Sequence, residues 1–228
     1  MSGTQPATPS ATPPAVVTGV VFDLDGVLVD TEPVHFAATQ AMLAPETITI
    51  EQVEPFIGTG GMNEWMAEHY SITLEEIKAN YSGHFFDQLE RAPLEPLDGV
   101  VELLEAMRPR GRGLAVASQS SRAWIEATLA SAGLDHHFAL IATAREAGAD
   151  KPAPEVYLHA VAQLGLQPDE CIGVEDSIHG IESASAAGLW VVQSTQASFT
   201  PPPQPRANVV VASLRDFDLR WLGESAVG

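Results

Sequence analysis

Cysteine is nearly absent from this sequence, and cationic residues are scarce. Cys171 is the single cysteine among 228 residues, which excludes an intrachain disulfide and a metal site built from clustered cysteines. The chain holds 11 Lys and Arg against 30 Asp and Glu, for a formal net charge of −19. Because nucleic acids and anionic lipid surfaces carry the same sign of charge, we expect the chain to bind neither nucleic acid nor a membrane. A small anionic substrate would need a local cation to draw it in.

Long hydrophobic runs are also missing. No apolar run approaches the roughly 18 residues of a membrane span, and the N-terminus has neither the basic region nor the apolar region of a signal peptide. We therefore expect a cytoplasmic protein, and one that acts as a monomer. Apolar residues nevertheless make up 45% of the chain, which is enough for a sizeable buried core.

Short apolar runs alternate with amphipathic helical patterns along most of the chain. Such alternation is typical of βαβ units, and it predicts an α/β fold with a Rossmann-like, doubly wound parallel sheet covered on both faces. The strand-like runs are 16–22, 113–118, 138–141, 171–174, 189–193 and 208–212, and the helical patterns between them are 100–107, 122–131, 155–164 and 178–187.

One stretch, residues 31–96, breaks this alternation. It shows helical patterns and no convincing strand, so we interpret it as a helical cap domain inserted after the first strand. The α/β core domain would then comprise residues 16–30 and 97–228. Residues 1–15 are mostly Pro, Thr, Ser and Ala and are predicted to form a disordered tail. The helical patterns of the insertion are 33–43, 62–70 and 74–89.

Two pairs of acidic residues follow predicted strands directly. Asp23 and Asp25, with Gly26 after them, follow the first strand, and residues two apart on an extended chain project to the same side. Glu175 and Asp176 follow a later strand. Taken singly, the first pair reads as an Asp-Gly turn and Asp176 as a helix cap. However, the carboxyl ends of parallel strands are where open α/β sheets bind ligands, and four oxygen donors suit a hard cation such as Mg²⁺.

Two further positions favour an anion site. Ser118 closes a predicted strand and Gln119 leads toward the next helix, where a hydroxyl beside free helix N-terminal amides can bind phosphate. A plain serine cap is the alternative there. Lys151 is one of only two lysines in the chain. A solvated surface lysine is the ordinary explanation for such a residue, but its place in a loop after a predicted strand favours a functional role.

Together these segments resemble the four motifs of the haloacid dehalogenase superfamily. Because the helical insertion follows the first motif, the sequence is most similar to the branch of phosphoglycolate-phosphatase-like and β-phosphoglucomutase-like proteins. The resemblance covers about residues 16–215. The motifs are Asp23-Leu24-Asp25-Gly26-Val27-Leu28-Val29-Asp30-Thr31-Glu32, then Ser118, then Lys151-Pro152, then Gly173-Val174-Glu175-Asp176-Ser177-Ile178-His179-Gly180.

The resemblance implies a phosphoric monoester hydrolase that uses Mg²⁺ and acts on a small phosphorylated metabolite. Asp23 would be the nucleophile that forms an aspartyl phosphate, and Asp25 the general acid and base. Ser118 and Lys151 would hold the phosphoryl oxygens. The implied substrate contacts are Gly26, Ser118, Gln119 and Lys151. The implied magnesium ligands are Asp23, the Asp25 carbonyl, Asp176 and, directly or through a second contact, Glu175.

Residues of the insertion bear on the choice between two enzymes. In β-phosphoglucomutases a cap arginine grips the non-reacting phosphate of the substrate, and a cap lysine and a histidine after the first motif also serve catalysis. His35 matches that histidine. Segments 56–63 and 68–72, which should carry the arginine and the lysine, contain neither residue type. We therefore expect a phosphatase acting on a phosphosugar-like metabolite, with a β-phosphoglucomutase-type phosphomutase as the alternative.

His35 and Arg122 are further candidate substrate contacts. A lone histidine on a helix is more often structural. Arg122 lies at the start of a helix and is interpreted equally well as a surface residue. A catalytically silent regulatory or binding module is a third alternative. Such a module should have lost Asp23, Asp25 or Lys151, and all three are present.

Overall fold

The structure is a computed structural model that describes residue 13, residues 16–57 and residues 60–223. Its strands form one six-stranded sheet in which every pairing is parallel. The predicted tail lies outside the described residues, apart from Pro13. The strands are β1 (Gly19–Phe22), β2 (Gly113–Ser118), β3 (Leu140–Thr143), β4 (Cys171–Glu175), β5 (Trp190–Ser194) and β6 (Val209–Val211).

The order of the strands across the sheet is β3-β2-β1-β4-β5-β6. The chain winds outward from β1 to β3 and then returns to the other side of β1, where β4 begins the second half. Phe22 of β1 is in register with Val116 of β2 and with Val174 of β4. Because the strand order reverses between β1 and β4, a crevice is expected at the carboxyl ends of these two strands.

Helices cover both faces of this sheet, as the sequence predicts. Val20 and Phe22 of β1 pack into one buried cluster, and Val21 between them packs into the other, because successive side chains of a strand point to opposite faces. The helices of the insertion are α1 (Glu32–Leu43), α2 (Ile50–Val53), α3 (Met62–His69) and α4 (Leu74–Arg91). Those that cover the sheet are α5 (Val100–Met107), α6 (Arg122–Ser131), α7 (Ala144–Ala147), α8 (Glu155–Leu164) and α9 (Ile178–Ala186).

The inserted helices have an apolar core of their own. Helices α1 and α4 pack against each other, and Leu43, Met66 and Ile77 are buried in a cluster separate from those on the sheet. The chain leaves and re-enters the α/β part at one place, since Val29 and Pro96 form an isolated antiparallel bridge.

Most predicted elements are present, with ends shifted by three residues or fewer. The pattern at 16–22 shortens to β1 at Gly19–Phe22, and both ends of the pattern at 138–141 shift by two residues, to β3 at Leu140–Thr143. Phe138 directly follows a 3-10 turn at Asp135–His137 and is buried as a loop residue, so its apolar character does not mark a strand. Within the described part of the chain, no helix has both the length and the hydropathy that a membrane span requires.

Candidate active site

The two acidic pairs meet at the carboxyl ends of β1 and β4. The Asp23 amide donates a hydrogen bond to the carbonyl oxygen of Val174 (2.9 Å), which continues the pairing of the two strands. Carboxylate oxygens of Asp23, Glu175 and Asp176 lie within 4.8 Å of one another. Asp23 and Glu175 are buried, with relative exposures of 7% and 0%. The parallel register of two central strands thus concentrates negative charge in one crevice.

Lys151 is the cation of this cluster. Its Nζ donates to Oδ1 of Asp23 (2.8 Å), to Oε1 of Glu175 (2.7 Å) and to the carbonyl oxygen of Ala117 (3.1 Å). Only 7% of the residue is exposed. Because an ammonium group has three protons to donate, these partners satisfy it completely and fix its position between the two acidic pairs.

One lysine does not balance the carboxylates around it. Burial, with repulsion from Glu175, raises the pKa of Asp23 to about 7 despite the nearby Lys151. Burial and the charge of Glu175 also hold the pKa of Asp176 well above its usual range. Burial alone would lower the pKa of Lys151, but the charges of Asp23 and Glu175 outweigh it and raise that pKa. The site therefore lacks positive charge, which a bound cation would supply.

Glu175 holds its neighbours in place with both carboxylate oxygens. Oε1 accepts hydrogen bonds from Lys151 and from the Tyr157 hydroxyl, each at 2.7 Å. Oε2 accepts from the Asp176 amide (3.1 Å) and from the amide and hydroxyl of Ser177 (3.3 and 3.1 Å). Since protein donors occupy both oxygens, these contacts favour a supporting role for Glu175 over direct metal ligation.

The remaining carboxylates fit a hard divalent cation. Asp23 and Asp176 offer oxygen donors at a partly open crevice, the donor type that Mg²⁺ prefers. Gly26 allows Asp176 to approach, because a Cβ atom on Gly26 would lie 2.0 Å from Oδ2 of Asp176. Gly26 also has φ of 77°, a conformation that L side chains rarely adopt.

A second glycine, Gly180, makes room for Glu175. It lies in the first turn of α9, and a Cβ atom there would lie 1.9 Å from Oε1 of Glu175. An alanine side chain at position 180 would have to displace the carboxylate of Glu175, which accepts a hydrogen bond from Lys151. Gly180 ends the fourth motif, but the sequence assigns it no role in the site, because a glycine in a helix does not indicate what packs against it.

Replacing Gly180 by Ala tests this packing. Alanine normally stabilises a helix interior relative to glycine, by about 1 kcal/mol. Here the clash with Glu175 should reverse the sign, and we expect Gly180→Ala to lower the free energy of unfolding by roughly 1–3 kcal/mol. Gly83→Ala is the matched control, because Gly83 lies within α4 with open space around its Cβ position. In urea unfolding, Gly83→Ala should raise the free energy of unfolding while Gly180→Ala lowers it. Equal changes in the two variants would show that Glu175 does not pack tightly against position 180.

Asp25 is held by two hydroxyl groups. Oδ1 accepts from Thr31 Oγ1 (2.7 Å) and Oδ2 from Ser120 Oγ (3.3 Å). The Ser120 amide in turn donates to Ser118 Oγ (3.0 Å). Thr31 and Ser120 were not predicted as site residues, since serine and threonine near a turn are common for local reasons.

These groups open into a cavity of about 440 Å³. The candidate residues for phosphate and metal binding lie together on its floor, except Glu175, which is not among the lining residues. Its other walls come from the insertion, which the resemblance implies is part of the site, and from the loop after β5, which the sequence did not indicate. The floor includes Asp23, Asp25, Gly26, Ser118, Gln119, Lys151 and Asp176, and the walls include Glu32, Glu54, Ile57, Ala197, Phe199, Thr200 and Pro201.

His35 and Arg122, expected as substrate contacts, are not among the lining residues of this cavity. Nδ1 of His35 lies 2.7 Å from the Tyr81 hydroxyl, and its ring packs against Trp124 at a centroid distance of 5.7 Å. Arg122 forms an ion pair with Glu146 at 2.9 Å. Both side chains thus have structural partners, and we leave them out of the site proposed below.

Comparison with known proteins identifies a protein family that matches this chain. Residues 20–193 match the family model of haloacid dehalogenase-like hydrolases. The chain is 32% identical over 188 residues to protein CbbY of Rhodobacter capsulatus, covering 76% of this chain and 83% of that protein. It is 31% identical over 179 residues to the fructose-1-phosphate phosphatase YqaB of Escherichia coli K12, covering 76% and 94%.

A solved structure agrees with the family match. The crystal structure of CbbY from Rhodobacter sphaeroides in complex with phosphate superposes with a TM-score of 0.80 at 22% identity, over 90% of this chain and 99% of that chain. This likeness shows a shared fold. Taken with the family match over most of the sequence, it confirms the resemblance read from the motifs: the chain belongs to the haloacid dehalogenase-like hydrolases.

Proposed function

We propose that the protein is a Mg²⁺-dependent phosphatase that hydrolyses a small, phosphosugar-like metabolite through an aspartyl phosphate at Asp23. The chain is a phosphoric monoester hydrolase of its family, and one of its relatives is named a fructose-1-phosphate phosphatase. The aspartyl-phosphate mechanism is supported by the position of Lys151, whose Nζ lies 2.8 Å from Oδ1 of Asp23 at the floor of a cavity. A carboxylate can attack a phosphate dianion only where cations offset their repulsion.

Asp23 and Asp25 would share the two chemical steps. An Asp23 carboxylate oxygen forms a bond to phosphorus while the bond from phosphorus to the leaving oxygen breaks, and Asp25 gives its proton to that oxygen. In the second step water attacks phosphorus, Asp25 takes a proton from the water, and the bond between phosphorus and Asp23 breaks. Both residues return to their starting forms, and inorganic phosphate is released.

The remaining floor residues would bind and orient the phosphoryl group. Ser118, Gln119 and Lys151 line the cavity beside Asp23. To hold a phosphoryl oxygen, Lys151 would redirect to it one of the three protons that it donates to acceptors of the protein. Mg²⁺ would be held by Asp23, Asp176 and the Asp25 carbonyl, and when bound it supplies positive charge against the substrate dianion. Glu175 would support this arrangement by fixing Lys151.

The inserted helices would act as a cap, residues 31–96, above a core of residues 16–30 and 97–228. Glu54 and Ile57 of the insertion face the same cavity as Asp23, so substrate would lie between the two parts. Such a cap excludes water from the reacting group.

The charge of the insertion supports hydrolysis over phosphomutase activity. A mutase must hold a second phosphate away from the nucleophile, which needs a second cationic site. The loop that should supply it has no basic residue in its sequence, although its Gly58 and Thr59 lie outside the described residues. The insertion contributes Glu32 and Glu54 to the cavity, and neither would bind a phosphate.

Metal removal tests the proposal. We expect EDTA to abolish phosphate release from fructose 1-phosphate, and excess Mg²⁺ to restore it, because the acidic cluster needs a cation. Mg²⁺ should also raise the melting temperature, since it binds the native site and not the unfolded chain. Matched ionic strength from NaCl is the control. Full activity in EDTA, or equal stabilisation by NaCl, would contradict the metal site.

A further inference from the structure

Two carboxylates of the insertion, those of Glu32 and Glu54, line the same cavity as Asp23. We propose that Glu32 and Glu54 are specificity-determining residues, which select an uncharged, hydroxyl-rich leaving group and reject one that carries a carboxylate or a second phosphate. This inference rests on the phosphatase function proposed above, and it adds the chemical class of the leaving group.

The charge around the cavity is mostly negative. Among the described residues that line it, the basic side chains are those of Lys151 and His179. The three protons of Lys151 are all donated to acceptors of the protein. A second anion would therefore meet three carboxylates, those of Asp30, Glu32 and Glu54, against the single imidazole of His179, and like charges placed together disfavour the wrong partner.

Glu32 has an unsatisfied carboxylate within the described part of the chain. It lies in the first turn of α1, partly buried, and no hydrogen bond to its carboxylate is found within the described residues. Burial and the charges of Asp25 and Asp30 raise the pKa of Glu32 to about 7, so a further anion would meet the same repulsion. A hydroxyl group, in contrast, can donate to the carboxylate and satisfy it.

The cavity also has apolar lining residues. Ile57 of the insertion faces it together with Phe199 and Pro201 of the loop after β5. This loop is fixed at the entrance to the insertion, because the amide (3.3 Å) and the hydroxyl of Ser198 donate to Oδ2 of Asp30. A cavity that combines carboxylate acceptors with apolar side chains complements a polyol, which has hydroxyl donors and C–H faces.

A pair of phosphate esters that differ at one carbon tests the proposal. D-glucitol 6-phosphate and 6-phospho-D-gluconate share their chain and stereochemistry, but a terminal CH₂OH group in the first is a carboxylate in the second. We expect kcat/KM for the glucitol ester to exceed that for the gluconate ester by at least about tenfold, through repulsion of the added charge. Equal values for the two esters would overturn the proposal.

Variants of Glu54 locate the effect. The preference is the ratio of kcat/KM for the glucitol ester to kcat/KM for the gluconate ester. We expect Glu54→Lys to reduce this ratio at least about fivefold, and Glu54→Gln to reduce it less, because the first substitution reverses a charge that the second only removes. Glu68→Lys is the control, because Glu68 is exposed on α3 and is not among the lining residues. A preference that Glu54→Lys leaves unchanged, or that Glu68→Lys reduces equally, would also overturn the proposal.

A binding measurement separates this inference from the proposed function. Isothermal titration of Asp23→Asn with each ester, in the presence of Mg²⁺, reports affinity without turnover. Weaker binding of the gluconate ester supports the inference, whereas equal binding or no binding of either ester contradicts it. If the esters are discriminated in binding but the wild-type protein releases no phosphate from any phosphomonoester, then the phosphatase function is wrong and the selectivity stands.

Discussion

Replacing Asp23 by Asn should lower the rate of phosphate release at least about hundredfold, because loss of a covalent nucleophile costs several kcal/mol of barrier. The fold should be retained. The amide oxygen of Asn can still accept the hydrogen bond that Lys151 donates to Oδ1, and the change removes one of several mutually repelling buried charges. We therefore expect the melting temperature in EDTA to stay the same or rise.

Asp169→Asn is the matched control, because Asp169 is exposed on the 3-10 turn before β4. Steady-state phosphate release and thermal unfolding should be measured on both variants. If Asp23→Asn keeps more than about a hundredth of the wild-type rate, Asp23 is not the nucleophile. If it loses activity only because it unfolds, the assignment is left without support.

Replacing Lys151 by Met should damage both activity and stability. The change leaves the buried carboxylates of Asp23 and Glu175 without their cation, and breaking a buried pair in this way costs about 3 kcal/mol or more. For a chain of this size we expect the melting temperature to fall by roughly 6–12 °C. Phosphate release should fall at least about hundredfold, because charge stabilisation at the reacting group is lost.

The chain offers a close control in its other lysine. Lys78 is exposed on α4, so Lys78→Met should change the melting temperature and the activity little. Both variants should be unfolded in EDTA, so that metal binding does not mask the effect. Equal melting temperatures for the two variants would show that Lys151 does not balance the acidic cluster.

Much of the fold and of the site floor could be predicted from sequence, because both depend on local patterns. Strand β4 is an apolar run that ends in Glu175, with Asp176 directly after it, and the topology of a parallel sheet then brings this pair to Asp23. The short helices α2 and α7 were not predicted, since four residues are too few to show a helical period.

The walls of the site could not be predicted in the same way. The Tyr157 hydroxyl reaches Glu175 from a helix whose pattern reads as ordinary packing. Phe199 and Glu54 come together at the cavity although about 145 residues separate them, a distance that carries no periodic signal. The position of Arg122 beside Glu146 likewise depends on how helices α6 and α7 pack, which the sequence leaves open.

The bridge between Val29 and Pro96 has an evolutionary consequence. Because the chain departs from the core and returns to it at adjacent backbone positions, the insertion is one continuous gene segment with both ends at a single point. Recombination could exchange that segment for another whose ends lie equally close, without altering the connectivity of the sheet. Under the proposed function, selectivity and chemistry could therefore diversify separately, by swapping the segment while the floor of the site is inherited intact.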